Sequence, residues 1–210
     1  MPITAPFQQQ TDRYEAWFER HPAAYESELA AVERLLPGGD GLEIGVGTGR
    51  FADPLGIGIG LDPAPAMLAR ARDRGVASVG GVAEALPFTD GSFDVALLVT
   101  TICFVDDVAA TLREARRVLR PGGSLVVGFV DSESALGRRY REKKDRNPFY
   151  REATFVAADE LWRAMETAGF VDLEAVQTLF SPPEALAGRD EVRPGTGEGS
   201  FVVLRGTVRA

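Results

Sequence analysis

Residues 40–50 read Asp-Gly-Leu-Glu-Ile-Gly-Val-Gly-Thr-Gly-Arg, an apolar run that gives way to alternating glycines. Leu42 and Ile44 follow the helix-breaking run Pro37-Gly38-Gly39, which predicts a short buried strand over about 41–45. The glycines after it are Gly45, Gly47 and Gly49. Glycine adopts positive φ without steric penalty and has no Cβ atom, so we expect a sharp turn whose backbone can approach a ligand closely.

Two acidic residues flank this turn. Glu43 lies two residues before the first glycine, and Asp62 follows a second apolar run at 57–61. A carboxylate at the tip of the second strand is where nucleotide-binding α/β folds hold ribose hydroxyls. The dinucleotide pattern G-x-G-x-x-G requires its third glycine where this chain has Arg50, and Glu43 would repel a diphosphate. The turn therefore favours an adenosine ligand with a positively charged amino-acid tail; a glycine-rich turn without a ligand is the alternative.

The rest of the chain alternates between apolar strands and amphipathic helices. The predicted strands cover residues 41–45, 57–61, 76–79, 93–99, 124–130, 171–178 and 201–208. The run at 93–99 is almost entirely apolar, which is typical of a strand buried on both faces. This alternation predicts an α/β fold of the Rossmann-like, doubly wound type, with a mostly parallel seven-stranded sheet and helices on both faces.

Composition narrows the function. The 210-residue chain has a net charge of −8 and a pI near 4.8, which argues against nucleic acid or an anionic membrane as its main partner. Cys103 and His21 are the only residues of their types, so we expect neither a disulfide nor a metal cluster. No apolar run approaches the length of about 20 residues that spans a bilayer, and the N-terminus does not resemble a secretory signal. We therefore expect a cytoplasmic protein.

The N-terminal region is predicted to be an appendage to the sheet domain. Residues 1–10 show no periodicity and are expected to form a loose arm. The next helix carries Tyr14, Trp17 and Phe18 on one face. We divide the chain into a helical lid or arm at 1–36 and a single compact domain at 37–210.

The glycine turn with its two acidic residues resembles the first motif of the class I S-adenosylmethionine-dependent methyltransferases, in which an acidic residue precedes G-x-G-x-G. The chain is similar in particular to small type-11 members of that family, some of which begin with a Tyr-x-x-Trp-Phe helix like that at Tyr14. The resemblance covers about residues 38–178. It implies S-adenosyl-L-methionine as the cofactor, S-adenosyl-L-homocysteine as its product and methyl transfer to a small-molecule acceptor.

The resemblance also implies where the cofactor binds. Glu43 would orient its amino-acid tail, Asp62 its ribose and Pro63 would lie against the adenine. The implied cofactor-binding residues are Tyr14, Glu43, Gly45, Val46, Gly47, Gly49, Asp62, Pro63, Ala83, Glu84 and Thr100, with Thr101 beside the last. The sequence departs from the family at Val82, where an aspartate is usual, so the group that bonds the adenine amine stays open.

Catalytic residues and the acceptor are left undetermined by the sequence. His21 is interpreted as a turn residue before Pro22 rather than a base, and Cys103 as a buried apolar residue rather than a nucleophile. The basic and aromatic segment 131–152 indicates either an anionic or planar substrate or a solvated surface excursion. A non-catalytic S-adenosylmethionine-binding or interaction domain and a nicotinamide-dependent oxidoreductase are the alternative functions. Oligomeric state cannot be read from this pattern.

Overall fold

A computed structural model describes residues 4–210 of the chain, and its core is one mixed β-sheet. The strands are β1 Gly41–Ile44, β2 Ile59–Asp62, β3 Ala77–Gly80, β4 Phe93–Val99, β5 Leu119–Val130, β6 Phe170–Thr178, β7 Arg193–Pro194 and β8 Phe201–Val208. Their order across the sheet is β3-β2-β1-β4-β5-β8-β6-β7. The first five are mutually parallel, and β8 lies antiparallel between β5 and β6. The predicted α/β class is confirmed; the two-residue β7 is an addition to the seven predicted strands.

Helices cover both faces of this sheet. They are α1 Ala5–Gln9, α2 Thr11–Arg20, α3 Pro22–Leu35, α4 Pro65–Asp73, α5 Val108–Val118, α6 Ala135–Lys143 and α7 Ala158–Thr167. Helices α5 and α7 pack on one face, and α2, α3, α4 and α6 contribute to the core on the other. None of the helices within residues 4–210 is long and apolar enough to cross a membrane.

Strand β4 shows why the sheet needs cover on both sides. Val95 and Leu97 point into the core beneath α3 and α4, whereas Ala96 and Leu98 point toward α5 and α7. All four are essentially inaccessible to solvent. Because side chains alternate across a strand, an uninterrupted apolar run can be buried only between two helical layers. The sheet therefore presents just its strand ends to ligands.

The fifth strand is longer than its sequence predicts, since it begins at Leu119 instead of Ser124. Leu119 pairs with Phe93 before the register breaks, because the ion pair of Arg120 with Asp94 (2.7 Å) fixes the two strands together.

The predicted loose arm is ordered where the structure describes it. Residues 1–3 lie outside the described part of the chain, but α1 follows directly after them. The Phe7 ring makes edge contacts with Tyr14 and Phe104, and the Gln8 side chain accepts a hydrogen bond from the backbone N–H of Ala66 at the start of α4. These side-chain contacts hold the arm in place. Its sequence has no helical pattern of apolar residues, which is why the sequence did not predict that the arm is ordered.

Candidate functional site

The glycine turn after β1 has the geometry that its sequence predicts. Gly45, Gly47 and Gly49 all have positive φ, at 75°, 52° and 83°. A Cβ atom on Gly45 would lie 2.3 Å from the side chain of Thr101, so the turn can pass β4 only without one. A Cβ atom on Gly47 would come within 3.3 Å of the Tyr14 hydroxyl. The turn is therefore fitted closely between β4 on one side and α2 on the other.

Asp62 lies at the carboxyl end of β2 and is nearly buried. One carboxylate oxygen accepts a hydrogen bond from the backbone N–H of Gly47 (3.0 Å), and the other accepts one from Ala64 (2.8 Å). Burial raises the pKa of this carboxyl, and the two backbone N–H donors partly offset that rise. Each oxygen keeps a lone pair free, so the carboxylate can accept hydrogen bonds from a diol as well as hold the turn.

A cavity of about 90 Å³, here called the first cavity, opens beside Asp62 at the carboxyl ends of β1, β2 and β4. Eight of the predicted cofactor-binding residues line it: Tyr14, Gly45, Gly47, Asp62, Pro63, Ala83, Glu84 and Thr100. Thr101 lines it as well. The sequence did not identify Phe7, Met67, Phe104 or Val105, which complete its walls. These residues are apolar and are not marked by a polar or glycine motif. No sequence signal therefore distinguished them from core residues.

Three predicted residues do not line the first cavity: Glu43, Val46 and Gly49. The Val46 side chain packs over Gly60 of β2, and Gly49 packs against Ala71 of α4, so both support the turn from behind. Their direct contact with a cofactor stays a prediction.

Glu43 lies beneath the turn, 2% exposed. Burial raises its pKa well above the ordinary value, and a hydrogen bond from the backbone N–H of Ala52 opposes that rise. Its Oε2 atom has no hydrogen-bond partner within the described residues. An unpaired buried carboxylate oxygen can accept a donor from a ligand or water that reaches below the turn.

Glu84 has a structural task in addition to lining the first cavity. Its carboxylate accepts hydrogen bonds from the backbone N–H groups of Asp106 (2.7 Å) and Asp107 (3.3 Å), just before α5. One of its oxygens therefore fixes the loop after β4. The contact of Glu84 with the cofactor stays a prediction, and a hydrogen bond from a ligand would use the second oxygen.

Helix α2 is fastened over the glycine turn by Glu15. Its carboxylate accepts hydrogen bonds from the Thr48 hydroxyl (2.5 Å), from Arg50 and from Arg74 (2.6 Å). Burial alone would raise the pKa of Glu15, but these three partners outweigh it and lower the pKa. Arg50, which stands where the dinucleotide pattern requires its third glycine, therefore helps to hold α2 over the glycine turn.

Tyr14 closes the first cavity from α2. Burial, followed by the nearby carboxylates of Glu43 and Asp62, raises the pKa of its phenol, so the hydroxyl keeps its proton at neutral pH. The neutral hydroxyl lies above Gly47 and can donate a hydrogen bond to a ligand.

A second cavity of about 440 Å³ adjoins the first. Phe7, Tyr14, Thr100 and Phe104 line both cavities and lie where the two meet. The remaining aromatic walls are Trp17, Phe18, Phe51, Tyr140, Phe149 and Tyr150. The basic segment 131–152 therefore folds over a cavity, and its aromatic side chains form part of the lining.

The charges of the second cavity are unevenly placed. The segment contributes Arg139, Lys143 and Arg146, whereas Arg138 and Arg141 bond to Glu133 and are not in the lining. Arg139 is paired with Glu184. The carboxyl of Glu28, on α3, is the buried charge of this lining, at 4% exposed. The sequence offered one signal for it: Glu28 lies three residues after Tyr25 and four before Val32, on the apolar stripe of its helix.

His21 lies at the turn before α3, as its sequence predicts, whereas Cys103 is partly rather than fully buried; that neither residue is catalytic stays a prediction. His21 is the N-cap residue of α3, and its ring lies beside Trp17. Burial raises the pKa of the Cys103 thiol to about 12, so the sulfur stays protonated at neutral pH. A protonated thiol is a poor nucleophile.

The residues of the first cavity fit S-adenosylmethionine. The cavity contains a carboxylate for the ribose and a proline and an alanine for the adenine faces. It also contains a glycine whose missing Cβ leaves room under Tyr14. A volume of about 90 Å³ is below the range of roughly 300–1,000 Å³ that small-molecule sites occupy. The first cavity therefore has to widen, by an outward shift of α1 and α2, before it can hold a nucleoside.

Comparison with known proteins supports the same assignment. A profile of the methyltransferase domain family matches residues 42–127. An uncharacterised protein of Methanocaldococcus jannaschii is 39% identical over 198 residues, which cover 94% of this chain and 96% of that protein. A probable S-adenosylmethionine-dependent methyltransferase of Mycolicibacterium smegmatis is 33% identical over 160 residues, which are 73% of this chain and 59% of that protein.

A solved structure is similar over nearly the whole fold. The crystal structure of a Thermotoga maritima protein, described as an S-adenosylmethionine-dependent methyltransferase and possible histamine N-methyltransferase, is 53% identical, with a TM-score of 0.94. The match covers 96% of this chain and 97% of that one. With the glycine turn, the Asp62 carboxylate and the cavity between them, these findings show that the chain belongs to the class I S-adenosylmethionine-dependent methyltransferases.

Proposed function

We propose that the enzyme transfers the methyl group of S-adenosylmethionine to a small-molecule acceptor bound in the second cavity. One observation carries this proposal: the second cavity is large, lined by aromatic rings, and shares the lining residues Phe7, Tyr14, Thr100 and Phe104 with the first. An acceptor held there would meet the cofactor across a passage that these four residues shield from water. The volume of about 440 Å³ is that of a small-molecule site and too confined for a folded macromolecule.

The residues of the first cavity would divide the binding of the cofactor among them. Asp62 would accept hydrogen bonds from the ribose diol, while Pro63 and Ala83 would pack against the adenine. Gly45 and Gly47 would let the backbone approach the amino-acid tail. When bound, the cofactor supplies an electrophilic methyl group on a sulfonium; the chain supplies position and a water-poor surrounding.

The acceptor is proposed to be an amine. The Thermotoga maritima protein carries the description of a possible histamine N-methyltransferase, which favours a nitrogen acceptor here as well. An amine in its neutral form is nucleophilic without a dedicated base, which is consistent with a lining in which the hydroxyls of Tyr14 and Tyr150 hold their protons.

The cellular setting forms part of the same proposal. We infer a cytoplasmic enzyme with no nucleic-acid acceptor, because a chain of net charge −8 repels a phosphate backbone and S-adenosylmethionine is a small soluble ligand. We also propose the division of the chain that the sequence predicts. In the region 1–36, helices α1 and α2 would act as a lid over the cavities.

A variant that fills the second cavity tests this proposal. Leu136 on α6 lines that cavity and not the first. Leu136→Trp should lower the formation of S-adenosylhomocysteine from a panel of small amines by at least about tenfold, because the indole occupies the acceptor's volume. Leu136→Met, which keeps the volume, is the matched control. The affinity of both variants for S-adenosylhomocysteine should stay within about twofold of wild type, measured by calorimetry. Equal turnover by Leu136→Trp and wild type would refute the assignment of the acceptor to this cavity.

A further inference from the structure

The Glu28 carboxyl stands out among the buried charges of the second cavity. It lies on α3 and faces a lining of aromatic rings, and it is 4% exposed. No hydrogen bond or ion pair joins it to any residue of the described chain, 4–210, and burial is the one influence on its pKa. By contrast, the adjacent Ser27 hydroxyl is satisfied by the carbonyl of Ala23.

Such an arrangement is unusual because it destabilises the free protein. A buried carboxyl without a partner loses its hydration and gains nothing in exchange. Burial accordingly raises the pKa of Glu28 to about 8. A leucine would fill the same position on the apolar stripe of α3 without this penalty, which points to a ligand that supplies the missing partner.

The basic side chains of the cavity do not serve as that partner. Arg139 is bound to Glu184, which also lines the cavity, and the guanidinium of Arg13 lies over the Phe149 ring. Lys143 and Arg146 line the cavity but make no ion pair with Glu28 within the described residues. The Glu28 carboxyl therefore has no partner among these side chains, and it can release its proton and pair with a cation that enters from outside.

The surroundings of Glu28 suit an organic cation rather than a metal ion. Tyr140 and Tyr150 stack on each other with ring centroids 5.0 Å apart, and Phe18 packs edge-on to Tyr25. Aromatic faces attract an ammonium group, and their area attracts the apolar body that carries it. A hydrated metal ion would need several oxygen ligands, and Glu28 supplies two.

We propose that Glu28 is the acceptor-binding residue of the second cavity and that its carboxylate pairs with the ammonium group of an arylalkylamine acceptor. Before transfer the ammonium gives one proton to this carboxylate, and the neutral nitrogen then attacks the methyl group while the sulfonium sulfur takes the electron pair of the broken bond. This inference rests on the proposed function, in that the ligand of the second cavity is taken to be the methyl acceptor. The aromatic rings would hold the planar end of such a molecule, and the carboxylate would fix its nitrogen. The geometry thus assigns a substrate class, primary or secondary amines with a planar apolar body.

Calorimetry with a matched pair of probes tests the inference independently of turnover. The probes are 2-phenylethylamine, which ends in a charged ammonium group, and 2-phenylethanol, which ends in a neutral hydroxyl. Each is titrated into the full-length protein saturated with S-adenosylhomocysteine. The wild type should bind the amine at least about tenfold more tightly than the alcohol, since a charge-assisted pair contributes about 1.4 kcal/mol or more. In Glu28→Gln the two probes should bind equally.

A second variant separates a lost charge from a damaged fold. Glu26 lies on the same helix and is exposed, so Glu26→Gln removes one carboxylate of α3 away from the cavity. It should keep the preference for the amine. Glu28→Gln should keep its affinity for S-adenosylhomocysteine within about twofold, which shows that the first cavity is intact.

The outcomes distinguish this inference from the proposed function. A wild-type protein that binds both probes equally, or neither, overturns the role of Glu28, as does a Glu28→Gln variant that retains the preference for the amine. A protein that shows the preference but methylates no amine in the turnover assay supports the binding role of Glu28 and refutes the proposed function instead.

Discussion

Replacement of Glu28 by glutamine should change how the stability of the ligand-free protein depends on pH. Burial raises the pKa of this carboxyl from an ordinary value of 4.5 to about 8. Between those two pH values the unfolded chain has released the proton while the folded chain retains it. The free energy of unfolding therefore falls as pH rises, by about 1.4 kcal/mol per pH unit from this group alone. The contribution is fully present below pH 4.5 and is lost by about pH 8.

The magnitude is large enough to measure. From about pH 5.5 to about pH 7.5 the wild type should lose on the order of 3 kcal/mol that Glu28→Gln does not lose. For a chain of this size, 1 kcal/mol corresponds to roughly 2–4 °C in Tm, so the wild-type Tm should fall relative to the variant by about 6–12 °C. Every other titrating group is common to both proteins and cancels in the difference.

The assay is thermal unfolding of both proteins, followed by circular dichroism or calorimetry, over this pH range without ligand. Glu26→Gln is the control, because its carboxylate is exposed on the same helix and its curve should run parallel to that of the wild type. Parallel curves for wild type and Glu28→Gln would refute the reasoning, since they would mean that Glu28 ionises in the folded protein as it does in water.

Three further changes test the first cavity and its cover. Asp62→Ala should raise the Kd for S-adenosylhomocysteine by about tenfold or more in calorimetry, since charge-assisted hydrogen bonds contribute roughly 1.5–3 kcal/mol; an unchanged Kd would remove Asp62 from the site. Gly45→Ala should lower the free energy of unfolding by about 1–3 kcal/mol in urea titrations, because its Cβ would lie 2.3 Å from Thr101 at a φ of 75°; Gly38→Ala, with nothing within 4 Å, should not. Glu15→Gln should weaken S-adenosylhomocysteine binding several-fold by loosening α2 from the turn, and a Kd equal to that of wild type would show that the cover is held by other contacts.

The glycine turn and the sheet could be predicted because their signals are local. Leu42 and Ile44 before three alternating glycines specify a strand and a turn within ten residues, and Asp62 follows the next apolar run. Strand β8 begins and ends where its apolar run does, at Phe201–Val208. Each of these features depends on neighbours along the chain, which a sequence displays directly.

The acceptor side of the site could not be predicted because it is assembled from distant elements. Phe7, Phe104 and Phe149 meet around one point although they lie in α1, the loop after β4 and the segment after α6. Any one of them alone reads as an ordinary apolar residue. Glu28 gave a signal as a charge on an apolar helical stripe, but its meaning depends on the cavity that Tyr140 and Tyr150 build opposite it. The arginines of 131–152 similarly divide into those that line the cavity and those that bond to Glu133.

The most direct test of the proposed reaction is the mass of the acceptor after turnover. The wild-type enzyme is incubated with S-adenosylmethionine and a panel of arylalkylamines alongside the alcohols of the same shape, and the products are measured by mass spectrometry. The account predicts that amines gain a methyl group, that the matched alcohols gain none, and that Asp62→Ala reduces the yield by about tenfold at limiting cofactor. Methylation of the alcohols in preference to the amines, or of no member of the panel by an enzyme that binds S-adenosylhomocysteine, would contradict it.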